Sequence, residues 1–304
     1  MAKGWKRYAE STLARSGVAH GIRSLAEPTT AILAYHNVVP YGESPVGDLS
    51  LHIDQDVFGT HLDRILETHD VVPLADLLQP ESPRTGRPRA VITFDDAYQG
   101  ALTAGVEELR KRDLPSTMFV SPGLLSAEGF WWDLLSPGSG STLAPDVRAL
   151  ALDELRGVHA DVLAWATREG LPRISLPDFA RPSDEGMLAD PSRFPRMVFG
   201  SHTWSHVNLA LTTTEETRSE VLRTRSWLAT SGLPTVDWLA YPYGLYSEDA
   251  VAFVAAHTDG ALRVDGGLAE RRGHVRGARH RFPRVNVPRN LTVDGLCLRL
   301  CGLR

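Results

Sequence analysis

Two adjacent carboxylates stand at the end of an apolar run in the first third of the sequence. Residues 90–94 read Ala-Val-Ile-Thr-Phe, and Asp95 and Asp96 follow directly. Neighbouring carboxylates are costly to bury unless a cation or a proton lies between them. Because α/β folds bind ligands at the carboxyl ends of their strands, we expect these side chains to lie in a site. The alternative is that Asp96 caps the helix that follows.

A pair of histidines about a hundred residues later favours a site. His202 and His206 follow a second strand-like run over 197–200. On a helical turn, residues four apart lie about 5–6 Å apart at Cβ, so both imidazoles can reach one ion. Two histidines and one carboxylate, with positions left for water, are typical of a catalytic zinc site. Chance pairs are common among 11 histidines, but this pair stands at a strand end, as the two carboxylates do.

The remaining carboxylate and His36 predict a hydrolytic reaction. One carboxylate would ligate the ion, and the other would take a proton from metal-bound water, whose pKa the ion lowers toward about 7. The water would then attack a carbonyl while the ion stabilises the oxyanion. His36 follows the strand-like run 30–35 and could protonate a leaving amine, or it could merely hydrogen-bond a loop. This set of residues is suited to hydrolysis of an amide or ester.

Aromatic residues predict the walls of the site. Phe130, Trp131 and Trp132 follow a glycine, and three consecutive aromatic side chains cannot all face a core. We expect one tryptophan to stack on a sugar ring and the other to anchor a loop. Tyr98 is a further candidate for substrate contact.

A parallel sheet must position these residues. Residues 90–96, 99–112 and 116–120 predict a strand, a helix and a strand, which form a βαβ unit. Five or more such units without a dinucleotide-binding glycine pattern indicate a (β/α) barrel. We predict one domain over 30–304 with a helical insertion at about 136–196, preceded by an amphipathic helical segment over 1–29.

Composition limits the partners. The chain of 304 residues is 42% hydrophobic and 23% charged, which is ordinary for a soluble protein, and its net charge of −5 argues against a nucleic-acid partner. We see neither a signal core nor a run of about 20 apolar residues, so we expect a cytoplasmic protein. Its basic N-terminal segment allows at most peripheral membrane contact. Cys297 and Cys301 are four apart on a predicted helix and are not expected to form a disulfide.

The motifs resemble those of the polysaccharide deacetylase family, also called the NodB-homology or carbohydrate esterase 4 group. Thr-Phe-Asp-Asp at 93–96 is similar to the family's first motif, and Ser-His-Thr-Trp-Ser-His at 201–206 to its second. The resemblance runs from about residue 30 to about 287 and implies an irregular (β/α)7 barrel. It implies Asp95 as the general base and Asp96, His202 and His206 as ligands of a divalent metal. The expected ion is zinc, with cobalt, manganese and nickel as alternatives.

Two positions depart from the family pattern. The third motif reads Ala240-Tyr-Pro-Tyr243-Gly. The resemblance implies that the Tyr243 backbone N–H helps to hold the oxyanion, but Ala240 replaces the arginine that orients the base. Arg284 is our candidate to replace it and a candidate substrate contact. Ala97 stands where relatives have glycine, which would strain a backbone with positive φ.

The acid also departs from the usual position. The family's acid histidine usually comes from a Leu-His pair near the C-terminal end, where this chain offers only His274 and His280 in a basic stretch. The segment around His36 resembles the branch that includes biofilm poly-N-acetylglucosamine deacetylases, in which this histidine arrives early, so His36 is preferred.

The expected function is metal-dependent removal of N-acetyl groups from an acetylated amino sugar or glycan. Two alternatives stay open: hydrolysis of another non-peptide amide C–N bond, and glycan binding without turnover.

Overall fold

The computed structural model describes residues 30–78, 87–137, 142–264, 267–268 and 278–302. The predicted segment 1–29 and His274 lie outside the described residues. The strands are β1 (Thr30–Tyr35), β2 (Asn37–Val39), β3 (His52–Asp54), β4 (Asp70–Val71), β5 (Arg89–Asp95), β6 (Ser116–Val120), β7 (Met197–Ser201), β8 (Thr235–Ala240), β9 (Gly260–Arg263), β10 (Phe282–Pro283) and β11 (Val285–Asn286).

Nine α-helices are described. They are α1 (Gln55–Thr68), α2 (Val106–Lys111), α3 (Trp131–Leu134), α4 (Pro145–Asp153), α5 (His159–Arg168), α6 (Glu185–Leu188), α7 (Thr214–Thr230), α8 (Glu248–His257) and α9 (Val293–Leu300). A π-helical turn at Ala101–Gly105 precedes α2, so the helix predicted over 99–112 is wound differently in its first half.

Eight parallel strands form a nearly closed barrel in the order β10-β9-β8-β7-β6-β5-β1-β11. The segment Phe282–Asn286 reaches both edges, because β10 pairs with β9 and β11 pairs with β1. Only Arg284 separates these two short strands. The predicted α/β barrel is therefore confirmed.

Strand β5 separates the interior of the barrel from its outer layer. Successive side chains of a strand point to opposite faces. Val91 packs with buried side chains of β1, β6, β8 and β9, which meet inside the barrel. Ile92 and Phe94 belong to the larger cluster that also contains residues of the helices. By this alternation Thr93 and Asp95 point inward, and Asp95 ends the strand at the mouth of the barrel.

The connection between β6 and β7 contains residues 136–196, for which a helical insertion is predicted. Helices α3 to α6 lie in this connection. Two backbone hydrogen bonds tie its later part to the loop after Asp96, from Ser183 N to the carbonyl of Ala97 and from Gln99 N to that of Arg181, at 2.9 and 3.0 Å. The insertion therefore contacts the loop that holds the two carboxylates.

A buried glutamate holds α2 against α1. Glu108 accepts hydrogen bonds from Lys111, Arg112 and Gln55 at 2.7, 2.8 and 3.0 Å. Burial alone would raise the pKa of Glu108, but these hydrogen bonds and the Lys111 charge lower it to about 2.

The other early expectations concern the termini and cysteines. Cys297 and Cys301 are not joined by a disulfide, as expected. Within the described part of the chain, no helix combines the length and the apolar character that a bilayer crossing needs.

Candidate metal centre and active site

The carboxyl ends of three barrel strands meet at one cavity of about 560 Å³. Asp95 ends β5, His36 lies between β1 and β2, and His202 follows β7. All three line the cavity, together with Asp96 and His206. Parallel strands bring these residues to one edge although they are distant in sequence.

Asp96, His202 and His206 bring three ligand atoms together. Asp96 Oδ1 lies 3.1 Å from His206 Nε2 and 3.5 Å from His202 Nε2, and the two Nε2 atoms are 3.1 Å apart. Ligands bound about 2.0–2.2 Å from a tetrahedral ion lie roughly 3.3–3.6 Å from one another. All three residues are buried, and within the described residues they are the one group suited to hold an ion. The geometry fits a divalent metal.

His202 is held in the tautomer that a metal ligand needs. Its Nδ1 lies 2.8 Å from the carbonyl oxygen of Ala240, so Nδ1–H donates and Nε2 keeps its lone pair toward Asp96. Burial lowers the pKa of His202 to about 4 against the opposing charges of Asp95 and Asp96. A neutral imidazole with its second nitrogen hydrogen-bonded is the usual form of a histidine ligand.

Asp95 lies beside this group and is bound by Arg284. Arg284 Nη1 donates to Oδ1 at 2.7 Å and Nη2 donates to Oδ2 at 2.6 Å, and Nη1 is also 3.2 Å from Thr93 Oγ1. Burial alone would raise the pKa of Asp95, but the charges of Arg284, His202 and His36 and the Arg284 hydrogen bonds hold it below its ordinary value. Asp95 is therefore ionised at neutral pH.

Arg284 does not reach the cavity. Its side chain is completely buried and is absent from the cavity lining. The expectation that Arg284 contacts substrate is therefore corrected: the guanidinium lies behind Asp95, between β10 and β11, where the barrel closes. Its place on the carboxylate is the one expected for a group that replaces the missing arginine at Ala240.

His36 faces Asp95 across the cavity. Its Nε2 is 4.0 Å from Asp95 Oδ2, and its side chain is 13% exposed, which leaves a path for a proton to solvent. His280, the described alternative, is directed elsewhere, because its Nε2 lies 3.0 Å from the carbonyl of Thr258.

The sequence matches the family model described as polysaccharide deacetylase over residues 185–258. The fold is similar to that of the Streptococcus pyogenes deacetylase PplD in complex with acetate, with 16% identity, a TM-score of 0.61, and 90% of this chain and 99% of that chain covered. The structure of IcaB from Ammonifex degensii gives 16% identity, a TM-score of 0.61, and coverage of 90% and 97%. The de-N-acetylase from Aggregatibacter actinomycetemcomitans gives 12%, 0.59, and coverage of 89% and 99%. No curated protein sequence gives a significant match.

The expected resemblance to polysaccharide deacetylases is confirmed. The polysaccharide deacetylase match contains His202, His206 and Tyr243, whereas the two carboxylates lie before it. At these low identities the solved structures show only that the fold is shared. The chemistry of this chain must be argued from the geometry of its own residues.

Two aromatic side chains pack on His206 and line the cavity. The Trp132 ring centroid is 4.9 Å from that of His206, and the Tyr243 ring meets the same imidazole edge-on at 4.5 Å. Both residues belong to the cavity lining. Tyr243 has a φ of 59°, so its backbone makes a tight left-handed turn directly after β8.

Phe130, Trp131 and Trp132 are all buried in the core, so the expectation that three consecutive aromatic side chains cannot all face a core is wrong. Trp131 and Tyr98, both candidates for substrate contact, lie behind the wall that Trp132 and Tyr243 form, so that expectation is also corrected. Both are completely buried and neither lines the cavity. Trp131 Nε1 donates to the Tyr243 hydroxyl at 3.1 Å, and Trp132 Nε1 donates to the Tyr98 hydroxyl at 2.8 Å. These two residues hold the two that face the cavity.

A buried polar network supports Tyr98, and sequence reasoning missed it. Asp133 Oδ2 accepts from the Tyr98 hydroxyl at 2.6 Å, while Oδ1 lies 3.0 Å from His52 Nε2 and accepts from Asp48 N at 2.8 Å. Asp48 in turn pairs with Arg148 of the insertion, and both line the cavity. An acid directly after two tryptophans was the available signal, but its partners are 35 to 85 residues away.

Left-handed backbone conformations cluster at the site. Asp96, Ala97, Thr203 and His206 have φ values of 74°, 55°, 64° and 58°. The conformation costs a residue with a Cβ about 1–2 kcal/mol. The predicted strain at Ala97 is therefore present, and the alanine accommodates it. Contacts with surrounding residues must offset the cost of these conformations, as is common where function requires a strained backbone.

Proposed function

We propose that this protein is a metal-dependent hydrolase that removes N-acetyl groups from an acetylated amino sugar or glycan. The observation that carries the proposal is the convergence of Asp96, His202 and His206, with Asp95 free of that group and ionised beside it. The family match and the fold support a carbohydrate substrate.

Asp96, His202 and His206 would hold the metal. A divalent ion there supplies Lewis-acid chemistry, because it acidifies a water molecule and polarises the acetyl carbonyl. Among the described residues, the buried Asp96 Oδ1 has no hydrogen-bond partner, which is consistent with an oxygen that binds an ion. Zinc is the expected ion, with cobalt, manganese and nickel as alternatives.

Asp95 would act as the general base. It takes a proton from the attacking water as the new C–O bond forms. Arg284 occupies one direction at each carboxylate oxygen, so the remaining lone pairs are left for the water. Arg284 acts as a positioning residue, because it fixes the plane of the carboxylate and offsets its burial.

His36 would act as the general acid. It gives a proton to the amide nitrogen as the C–N bond breaks, and acetate and a free amine are the products. Its Nε2 is 4.0 Å from Asp95 Oδ2, so base and acid stand on either side of one small volume. The Tyr243 backbone N–H would donate a hydrogen bond to the oxyanion. The Trp132 indole would form a wall beside the sugar ring.

The lining of the cavity supports a second candidate function, hydrolysis of another non-peptide amide C–N bond. Its volume exceeds that of an acetyl group, and apolar side chains from several loops line it: Leu51, Leu143, Pro145, Leu152, Leu245 and Val264. These favour a bulkier or more apolar amide as an alternative substrate. The third possibility, glycan binding without turnover, predicts that no amide is cleaved.

The test is acetate release from a panel of N-acetylated sugars: monomers, oligomers, and nucleotide- and lipid-linked forms. Each is assayed after chelation and after addition of zinc, cobalt, manganese or nickel, with N-acyl analogues of longer chain as a second arm. Asp95→Asn should bind metal yet release nothing, whereas Asp161→Asn, an exposed aspartate on α5, serves as the matched control. Metal binding without cleavage of any substrate would overturn the catalytic proposal in favour of a binding role.

A further inference from the structure

The loop between the two histidine ligands is held by a glutamate of α7. Ser205 N donates to Glu220 Oε2 at 2.8 Å, and the Ser205 hydroxyl donates to Glu220 Oε1 at 2.7 Å. One carboxylate thus fixes both the backbone and the side chain of the residue that precedes His206. Hydrogen bonds to a charged acceptor are stronger than neutral ones.

The rest of the loop is held on two sides. The Arg223 guanidinium, one turn after Glu220 on α7, lies 4.1 Å from the ring centroid of Trp204. From the β6 side, Gly123 N donates to the Trp204 carbonyl at 2.8 Å. A Cβ on Gly123 would lie 2.7 Å from the same tryptophan, so the two loops approach each other closely.

The loop needs such support because its ends are in an unfavourable conformation. Thr203 and His206 both have left-handed backbones, with φ of 64° and 58°, and residues with a Cβ rarely adopt this region. A turn of this kind persists only where neighbouring contacts select it.

His206 lacks the support that His202 has. His202 Nδ1 is hydrogen-bonded to the carbonyl of Ala240. His206 Nδ1 is buried and, among the described residues, has no hydrogen-bond partner. Histidine ligands almost always use that second nitrogen to fix the ring. The direction of the His206 ring therefore depends on its backbone, which the Ser205–Glu220 contact holds, and on ring packing.

We propose that Glu220 is a positioning residue for the metal centre, acting on His206 through Ser205. The inference depends on the proposed metal site and adds a residue outside its ligand set. Within the described residues no cation pairs with Glu220, so its carboxylate serves Ser205. A helix on the outside of the barrel thereby contributes to metal affinity.

The experiment measures the dissociation constants of Zn²⁺ and Co²⁺ by competition with a chromophoric chelator, together with the visible spectrum of the Co²⁺ form. Glu220→Ala should weaken binding about 10- to 100-fold, as removal of outer-shell partners does, and should change the Co²⁺ spectrum. Glu220→Gln should restore part of the affinity, since its amide oxygen can still accept from Ser205 N. Glu215→Ala, an exposed glutamate of the same helix, should change neither quantity.

A double variant separates this role from general stability. Ser205→Ala removes one of the two hydrogen bonds and should weaken binding less than Glu220→Ala. Combined with Glu220→Ala it should add almost nothing, because both changes break the same contact. Unchanged metal affinity and Co²⁺ spectrum in a folded Glu220→Ala protein would overturn the inference. If instead the wild type binds no metal, or His206→Ala binds it equally well, the proposed metal site itself fails.

Discussion

Replacing Arg284 by methionine should destabilise the protein far more than an ordinary arginine substitution. The Arg284–Asp95 pair makes two hydrogen bonds of 2.7 and 2.6 Å, and the exposed fractions of the two side chains are 0% and 3%. Removal of one partner leaves an uncompensated buried charge, which costs about 3–5 kcal/mol. We expect a loss of this size in the free energy of unfolding, measured by urea denaturation at pH 7.

The chain contains a matched control for this prediction. Arg225 makes the same two-pronged contact with Asp237, at 3.1 and 2.7 Å, but these side chains are 37% and 40% exposed. Exposed pairs contribute about 0–1 kcal/mol, so Arg225→Met should change little. Equal, small losses in the two variants would refute the assignment of Arg284 as the buried partner of Asp95.

The double variant Arg284→Met with Asp95→Asn tests the pair itself. Neither charge remains in it, so it should be more stable than Arg284→Met alone, with a coupling energy of about 2 kcal/mol or more. Its activity should not return, because the base is missing. A double variant as unstable as the sum of the two single changes would mean that the charges do not interact, and the base would need another partner.

Five further single variants test the geometry. His206→Ala should lose the metal, by the chelator competition assay, whereas Asp95→Asn should keep it and lose turnover. His36→Ala should lower kcat by about 10²–10⁴-fold, as loss of an acid does, whereas His280→Ala should be harmless; the reverse result would move the acid to the C-terminal end. Glu108→Gln should lower the free energy of unfolding by up to about 3 kcal/mol relative to the wild type at pH 7. Because the folded-state pKa of Glu108 is depressed to about 2, that difference should disappear as the pH falls from about 5 toward 2 in urea titrations.

The sequence was sufficient for the barrel and for the place of the candidate ligands. Strands β1 and β5 are short runs in which almost every residue is buried, and such runs can be recognised in a sequence without knowledge of distant contacts. The carboxyl ends of parallel strands necessarily share one edge. For this reason residues as far apart as His36, Asp95 and His202 could be assigned to a common site before any geometry was known.

The aromatic residues show where that reasoning stops. Trp131 and Trp132 are adjacent and identical, yet one lines the cavity and the other is buried behind it. The difference comes from distant partners, because Trp132 donates a hydrogen bond to the Tyr98 hydroxyl, and that hydroxyl donates to Asp133. Local propensity contains no information about such a network, so the choice between two neighbouring tryptophans was not predictable.

Arg284 lies between these two cases. The sequence indicated that the base needs a cation from elsewhere in the chain, because Ala240 occupies the position at which the resemblance implies an arginine. Its place depends on the closure of the barrel, in which a five-residue segment pairs with β9 on one side and β1 on the other. The guanidinium between those two short strands points inward to Asp95. The missing charge is thus supplied by the residue between β10 and β11.

The two adjacent carboxylates differ in environment because the chain turns between them. Asp95 is the last inward-facing residue of β5, where Arg284 donates to both of its oxygens. Asp96 lies beyond the strand with φ of 74°, which directs its side chain to His202 and His206 at 3.5 and 3.1 Å. A carboxylate held by a guanidinium stays ionised and has lone pairs left for water, whereas one that faces two imidazole lone pairs requires a cation or a proton between them. Neighbours of identical type are thereby suited to different tasks, and it is their partners that distinguish a base from a ligand.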